Sequence, residues 1–208
     1  MMRHLMHAAS FARCFRIMLL LAVCGMMLSS CSTLQAPLHA PDIGPQEMRR
    51  AAIAGIDVGA KAIEREDEYW QLFEDYLPSI GIVALWVEVH NTGAAAIDLR
   101  RSDWSLRIGD RSSAALSADQ VFEQYYDGYQ VRMYSIQADR KARLRMERAA
   151  WQQGRIPPSL RREGFLFFRI DRGMAAGWTR QATLLLRNLR LKPGVKTTLE
   201  IVLAHANP

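Results

Sequence analysis

Hydrophobic residues change their spacing several times along the chain. From Ile17 to Leu28 they form an almost unbroken run. Between Val83 and Val89 they alternate: Val83, Leu85, Val87 and Val89 are separated by Ala84, Trp86 and Glu88, with His90 following. That period of two predicts a half-buried strand over 80–90. Asn91-Thr92-Gly93 then signals a turn. Ile97 with Leu99, and Trp104 with Leu106 and Ile108, mark two short strands, the second closed by Gly109-Asp110. Upstream, Ile53, Ile56 and Val58 predict a first strand over Ala52–Ala60. A helix from Gln46 competes with it, but Gly55 and Gly59 weaken a helix. Over 61–75, Ile63, Trp70, Phe73 and Leu77 share one helical face, which Pro78 ends.

Beyond Leu116 the period becomes helical. Ser117 is positioned to cap, Gln120 stands three residues on as in a capping box, and Leu116 can staple to Val121. Phe122, Tyr125, Tyr126 and Tyr129 continue one face. Asp127-Gly128 either breaks this helix or turns a hairpin, leaving 127–136 open between the two. The spacing of Met133, Ile136, Leu144 and Trp151 favours helix, break, helix. Gly154 and Pro157-Pro158 stop it. Strand signals return at Phe165–Ile170, Leu184–Leu191 and Thr197–Leu203, the last two joined by Lys192-Pro193-Gly194. The pattern predicts a mainly β fold: an antiparallel β-sandwich of about seven strands with a helical insertion at 117–153.

The apolar run near the start belongs to a different kind of segment. Twelve residues are short of the roughly 20 that a spanning helix needs. They follow Arg3, Arg13 and Arg16, with no acidic residue in the first thirty, as in an export signal. The run ends in Leu28-Ser29-Ser30-Cys31, which resembles the lipobox of bacterial lipoproteins: an apolar residue, two small residues and the Cys that is acylated. The resemblance implies cleavage before Cys31 and lipid on its thiol and amine. Ser32, in place of an Asp, implies the outer membrane. The domains expected are a signal peptide (1–30), a lipidated Cys with an extended, proline-containing tether (31–50) and a β-sandwich domain (51–208).

Cleavage revises the composition. The 208 residues carry 27 Lys and Arg, 21 Asp and Glu and three Cys, a formal charge of +6. Loss of Cys14 and Cys24 leaves Cys31 as the mature chain's one cysteine, so no disulfide is expected. Loss of three arginines leaves 24 basic against 21 acidic residues, and nucleic acid drops out as an expected partner.

Val87 to Gly93, Ile97-Asp98-Leu99, Trp104-Ser105-Leu106 and Gly164 to Phe168 together resemble a strand-and-turn pattern in uncharacterised extracytoplasmic lipoproteins. These carry telokin-like, immunoglobulin-like sandwiches. The resemblance implies an immunoglobulin-like fold over about 80–204 and carries no catalytic residue.

Candidate chemistry is sparse. No H-E-x-x-H, C-x-x-C, G-x-S-x-G or phosphate-loop motif occurs. His39, His90 and His205 are scattered, and neither a metal nor a cofactor is expected. Asp98 and Asp103 flank a turn, and Asp98 suits local backbone amides. The aromatic residues Trp70, Phe73, Tyr76, Tyr125, Tyr126 and Tyr129 read as core or as a contact patch. Between Arg140 and Arg172 ten basic residues face three acids. Arg140, Lys141, Arg143, Arg145 and Arg148 cluster on the second helix as a candidate contact for a partner or an anion. The 61–75 stretch, with six acids and two basic residues, is an internal candidate.

The function expected is a non-enzymatic interaction or scaffold module of the cell envelope, facing the periplasm. Its partners would be the membrane, through the lipid, and an envelope protein. A structural lipoprotein of an envelope secretion machine is the alternative, and a cell-wall hydrolase a third reading.

Overall fold

The computed structural model describes residues 34, 40–41, 43–44, 47–130, 136–174, 177–192 and 195–204. Leu28, Ser29, Ser30 and Cys31 lie outside the described residues, as do His39, His205 and 131–135.

The chain opens with a hairpin, β1 (Arg49–Ile53) and β2 (Ile56–Ala62). One strand was expected here. Ala54 and Gly55 both take positive φ (45° and 82°), and Ile53 pairs directly with Ile56. This is the two-residue turn that matches strand twist. An alanine in that position is uncommon, which hides the turn from inspection of the sequence. Helix α1 (Glu66–Phe73) and a 3₁₀ turn (Leu77–Ile80) lead into β3 (Ile82–Asn91). After β4 (Ile97–Asp98), β5 (Asp103–Ile108) and β6 (Arg111–Leu116) come α2 (Ala118–Tyr129) and α3 (Ile136–Ala149). The chain continues with β7 (Arg155–Ile156), β8 (Arg161–Arg169), β9 (Ala182–Lys192) and β10 (Val195–Val202).

Eight strands form an antiparallel sheet in the order β1-β2-β3-β8-β6-β5-β9-β10, and β4 pairs with β7. The end strands β1 and β10 approach each other, so the sheet is nearly a barrel. Strand β6 turns the corner. Its first residues pair with β5, whereas Ala115 and Leu116 pair with Phe168 and Phe167 of β8. The mainly β, antiparallel expectation holds, but the sheet has more strands than the seven or so foreseen.

Two cores share one wall. Val83, Leu85, Val87 and Val89 of β3 and Leu166 and Phe168 of β8 face inward. They meet Trp104, Leu106 and Ile108 of β5, Leu184 and Leu186 of β9, and Leu199 and Ile201 of β10. The opposite parity of the same two strands (Ile82, Ala84, Trp86, Phe165 and Phe167) packs under the helices. Strand β3 is therefore buried on both faces as far as Val87, and only Glu88 and His90 keep the half-exposed pattern expected for the whole strand.

The outer core corrects the reading of α1. Trp70 is 47% exposed, and Tyr69 takes the buried place. Its hydroxyl accepts the Ala84 backbone N–H at 3.0 Å, and burial raises its pKa well above the usual phenol range. Of the other aromatic residues considered as a patch, Phe73 and Tyr125 are buried and Tyr76 and Tyr126 are partly buried against this core. The core reading accounts for these four, whereas Tyr129, like Trp70, is exposed. Leu34 and Pro41 are buried, and Ile43 and Met48 pack against the same core. The described residues between 34 and 48 thus lie along the domain instead of extending away from it.

Helix α2 starts as its sequence predicts. The Ser117 hydroxyl accepts from the Gln120 N–H at 3.3 Å, and the Gln120 side chain accepts from the Ser117 N–H at 2.8 Å. Asp127-Gly128 neither breaks the helix nor turns a hairpin. Gly128 is helical, and a Cβ there would meet Ile80 Cγ2 at 2.7 Å, so glycine permits the close approach to the 3₁₀ turn. The break falls at Gln130, with φ of 54°. A polar clasp joins α2 to α3. Tyr126 donates its hydroxyl proton to Asp139, and Arg143 donates from Nε to Asp139 at 3.0 Å and from Nη1 to Asp119 at 2.8 Å. The Arg143 guanidinium also lies 5.0 Å from the centre of the Phe122 ring.

At the far end of β3, Asn91 is fully buried. Its Nδ2 donates to the carbonyls of Ala95 (2.8 Å) and Ile156 (3.0 Å), and its Oδ1 accepts from the Gly93 N–H (3.0 Å). One side chain thus closes the 92–96 loop and holds β7.

Two outcomes follow from these contacts. Asn91→Ala removes the amide donor from the Ala95 and Ile156 carbonyls, while the Gly93 N–H keeps the Gly55 carbonyl, and is expected to cost on the order of 1–3 kcal/mol, read from urea unfolding. Burial pulls the Asp139 carboxyl upward, but Tyr126 and Arg143 outweigh it and hold its pKa below the ordinary 3.8. A depressed carboxylate stabilises the fold fully above its unfolded pKa, and that contribution disappears as pH falls through the lower folded value. Thermal unfolding should show wild type more stable than Asp139→Asn at neutral pH, with the gap closing below about pH 4.

Candidate functional site

The helical insertion and the outer face of β3 and β8 enclose a cleft of about 940 Å³, at the upper end of the range typical for ligand sites. Its floor is Trp86 and Phe165, neighbours across the β3–β8 pair, whose rings meet edge to face at 4.8 Å. Gly164 completes the floor and positions the wall. A Cβ at Gly164 would lie 2.8 Å from Trp151 Cα, so glycine lets the chain leaving α3 rest on β8. There the Trp151 N–H donates to the Phe165 carbonyl at 2.8 Å.

The wall is one face of α3. Gln137, Arg140, Lys141, Leu144, Arg145 and Arg148 all line the cleft. Spacings of three and four residues set them in a single stripe. Four of the five basic residues singled out from the sequence are thus brought together. Arg143 is not among them. Its position places it on the opposite stripe with Asp139, Ala142 and Met146, where it serves the clasp to α2. None of the acids of the 61–75 stretch lines the cleft; Glu68 holds the buried Lys61 ammonium at 2.8 Å, together with Glu47 from outside the stretch at 2.6 Å.

Electrostatically the wall presents four cations, and among the described residues Glu163 is the one carboxylate lining the cleft. Arg140, Lys141 and Arg148 are exposed, while Arg145 is partly buried. On the floor, Trp86 is only 6% exposed, and its Nε1–H has no acceptor among the described residues. A buried donor without a partner costs free energy that an incoming acceptor would recover. The set places cationic groups over an aromatic base, a chemistry suited to negative charge. Trp86, Phe165 and Gly164 were not singled out as site residues from the sequence, because cross-strand register brings them under α3 and no local motif marks them. The stripe itself was legible, since Leu144 stands four residues from both Arg140 and Arg148.

The remaining polar candidates resolve as local structure. Asp98 accepts from the Arg100 N–H at 3.1 Å and from its guanidinium, which holds the carboxyl well below the usual range. Asp103 accepts from Asn188. His90 sits at the half-exposed end of β3. No cluster of three metal-ligating side chains occurs among the described residues.

No protein-family model matches the chain, and no curated protein matches it. Solved structures are similar at a distance. A candidate lipoprotein, YcdA from Bacillus subtilis, is 16% identical, with 77% of this chain and 39% of that one covered and a TM-score of 0.36. This chain therefore spans well under half of YcdA. A functionally unknown protein from Listeria monocytogenes is 7% identical, with 83% and 90% covered and a TM-score of 0.41. The YjhA protein from Bacillus subtilis is 11% identical, with 80% and 97% covered and a TM-score of 0.40. These likenesses are too distant to carry an argument about function. The chain is mainly β, and a candidate lipoprotein stands among its distant structural neighbours.

Proposed function

We propose that this chain is a lipoprotein of the bacterial envelope, anchored through Cys31 in the outer membrane and facing the periplasm. Its β domain is a non-enzymatic scaffold, and α3 is its contact surface. The observation that carries this reading is the convergence of Arg140, Lys141, Arg145 and Arg148 over the Trp86–Phe165 floor. These side chains recognise negative charge. Leu28-Ser29-Ser30-Cys31 supplies the processing signal in the sequence. Two apolar layers packed face to face support the immunoglobulin-like part of the reading, while the corner made by β6 belongs equally to a barrel.

Lipidation is tested in cells fed labelled palmitate. The wild-type chain is expected to take up label and to sediment with the outer membrane. Cys31→Ala is expected to remain an unlabelled, uncleaved precursor. Label on the variant, or none on the wild type, overturns the anchor.

A further inference from the structure

The cleft also has a position relative to the proposed anchor. Leu34 is fully buried in the same apolar core as Trp86 and Phe165, and Ala40 lines the cleft. Cys31 is three residues from Leu34. Three residues span at most about 11 Å even when fully extended. An acylated Cys31 sits at the bilayer surface, so the outer core and its cleft are leashed close to lipid headgroups. The outward face of β9, at Arg187, lies across the inner core and is under no such restraint.

The composition of α3 suits that position. Its outer stripe mixes cations with an exposed apolar side chain, Leu144, which is 43% exposed. This is the composition of a helix that lies on a bilayer surface, with aliphatic groups toward the acyl boundary and cations at the phosphates.

We infer that α3 is a second membrane contact, which docks on the anionic leaflet holding the anchor and seats a lipid phosphate between Arg140, Lys141 and Arg148. The lipid source follows from the leash, which holds this face at the headgroups at high effective concentration. The inference rests on the Cys31 anchor proposed above. It gives the protein a fixed orientation, with α3 down and the β5-β9-β10 side away from the membrane.

The test uses the lipidated mature chain purified from membranes, with acylation confirmed by mass. Leu144→Cys carries a bimane fluorophore, and Arg187→Cys is the control. Each is reconstituted into vesicles of phosphatidylcholine alone, or of phosphatidylcholine with phosphatidylglycerol, containing doxyl-labelled lipid as quencher. Bimane at 144 is expected to be quenched strongly in anionic vesicles, weakly in neutral ones and weakly in about 1 M salt. Bimane at 187 should stay unquenched throughout. Neutralising Arg140, Lys141 and Arg148 to Gln should lower the docked-to-free ratio about fivefold per cation, roughly a hundredfold in all. Thermal unfolding checks that this variant folds. If it does not, Arg140→Gln alone carries the expected fivefold loss. Equal quenching in neutral and anionic vesicles, or quenching indifferent to the Gln substitutions, overturns the inference. So does release by millimolar glycerol phosphate, which would make a soluble anion the ligand. A chain that lacks acyl mass at Cys31 overturns the anchor itself, a separate outcome.

Discussion

The structure depends on one pair of strands with no free face. Strands β3 and β8 are hydrogen-bonded from Ile82↔Arg169 to His90↔Arg161, and each has a further strand beyond it. One side of the pair closes the inner core, and the other carries the helices. Burying a side chain such as Phe165 or Phe167 contributes about 1.5–3 kcal/mol. On this pair, such contributions accrue on both faces of one hydrogen-bonded ladder. A slip of one residue would exchange Val83, Leu85 and Val87 for Ala84, Trp86 and Glu88 and mismatch both cores together. That double penalty pins the register, and with it the positions of Trp86 and Phe165.

The helical layer is fastened to this wall by polar contacts at its margins. Gln124 donates from Nε2 to the Ile80 carbonyl at 3.1 Å and accepts from Arg169 Nε at 2.8 Å, tying α2 to the end of β8. Lys61 joins Glu47 to Glu68 and so ties the segment before β1 to α1. Its burial disfavours the ammonium, yet the two carboxylates raise its pKa on balance. The same charge types act differently on the two stripes of α3. Arg143 is spent on Asp119 and Asp139 inside the protein, whereas Arg140, Lys141 and Arg148 remain at the surface. A run of like charges is therefore two structural sets, separated by helical angle.

Much of the architecture was legible because it rests on local rules. The capping box at Ser117 and Gln120 fixes where α2 begins. The β8 strand is too apolar from Phe165 to Phe168 to be anything exposed. Asp98 bonds the backbone of its own turn. The Ala54-Gly55 hairpin was missed because alanine seldom takes positive φ, and Tyr69 was missed because Trp70 looked the better core residue. Neither residue's burial is a local property: it depends on where α1 lands on β3.

By itself the sequence determined the mainly β character, the helical insertion, the lipobox-like leader and the stripe of cations on α3. These follow from spacing along one element, or from a short contiguous motif. The tertiary structure alone decided which cations stand together, that Arg143 turns inward, and that Trp86 and Phe165 lie beneath the rest. Those facts arise where a strand pair, a close approach at Gly164 and a helix rotation meet. Contacts between residues some sixty to eighty positions apart are set by sheet register and packing, which no local pattern encodes.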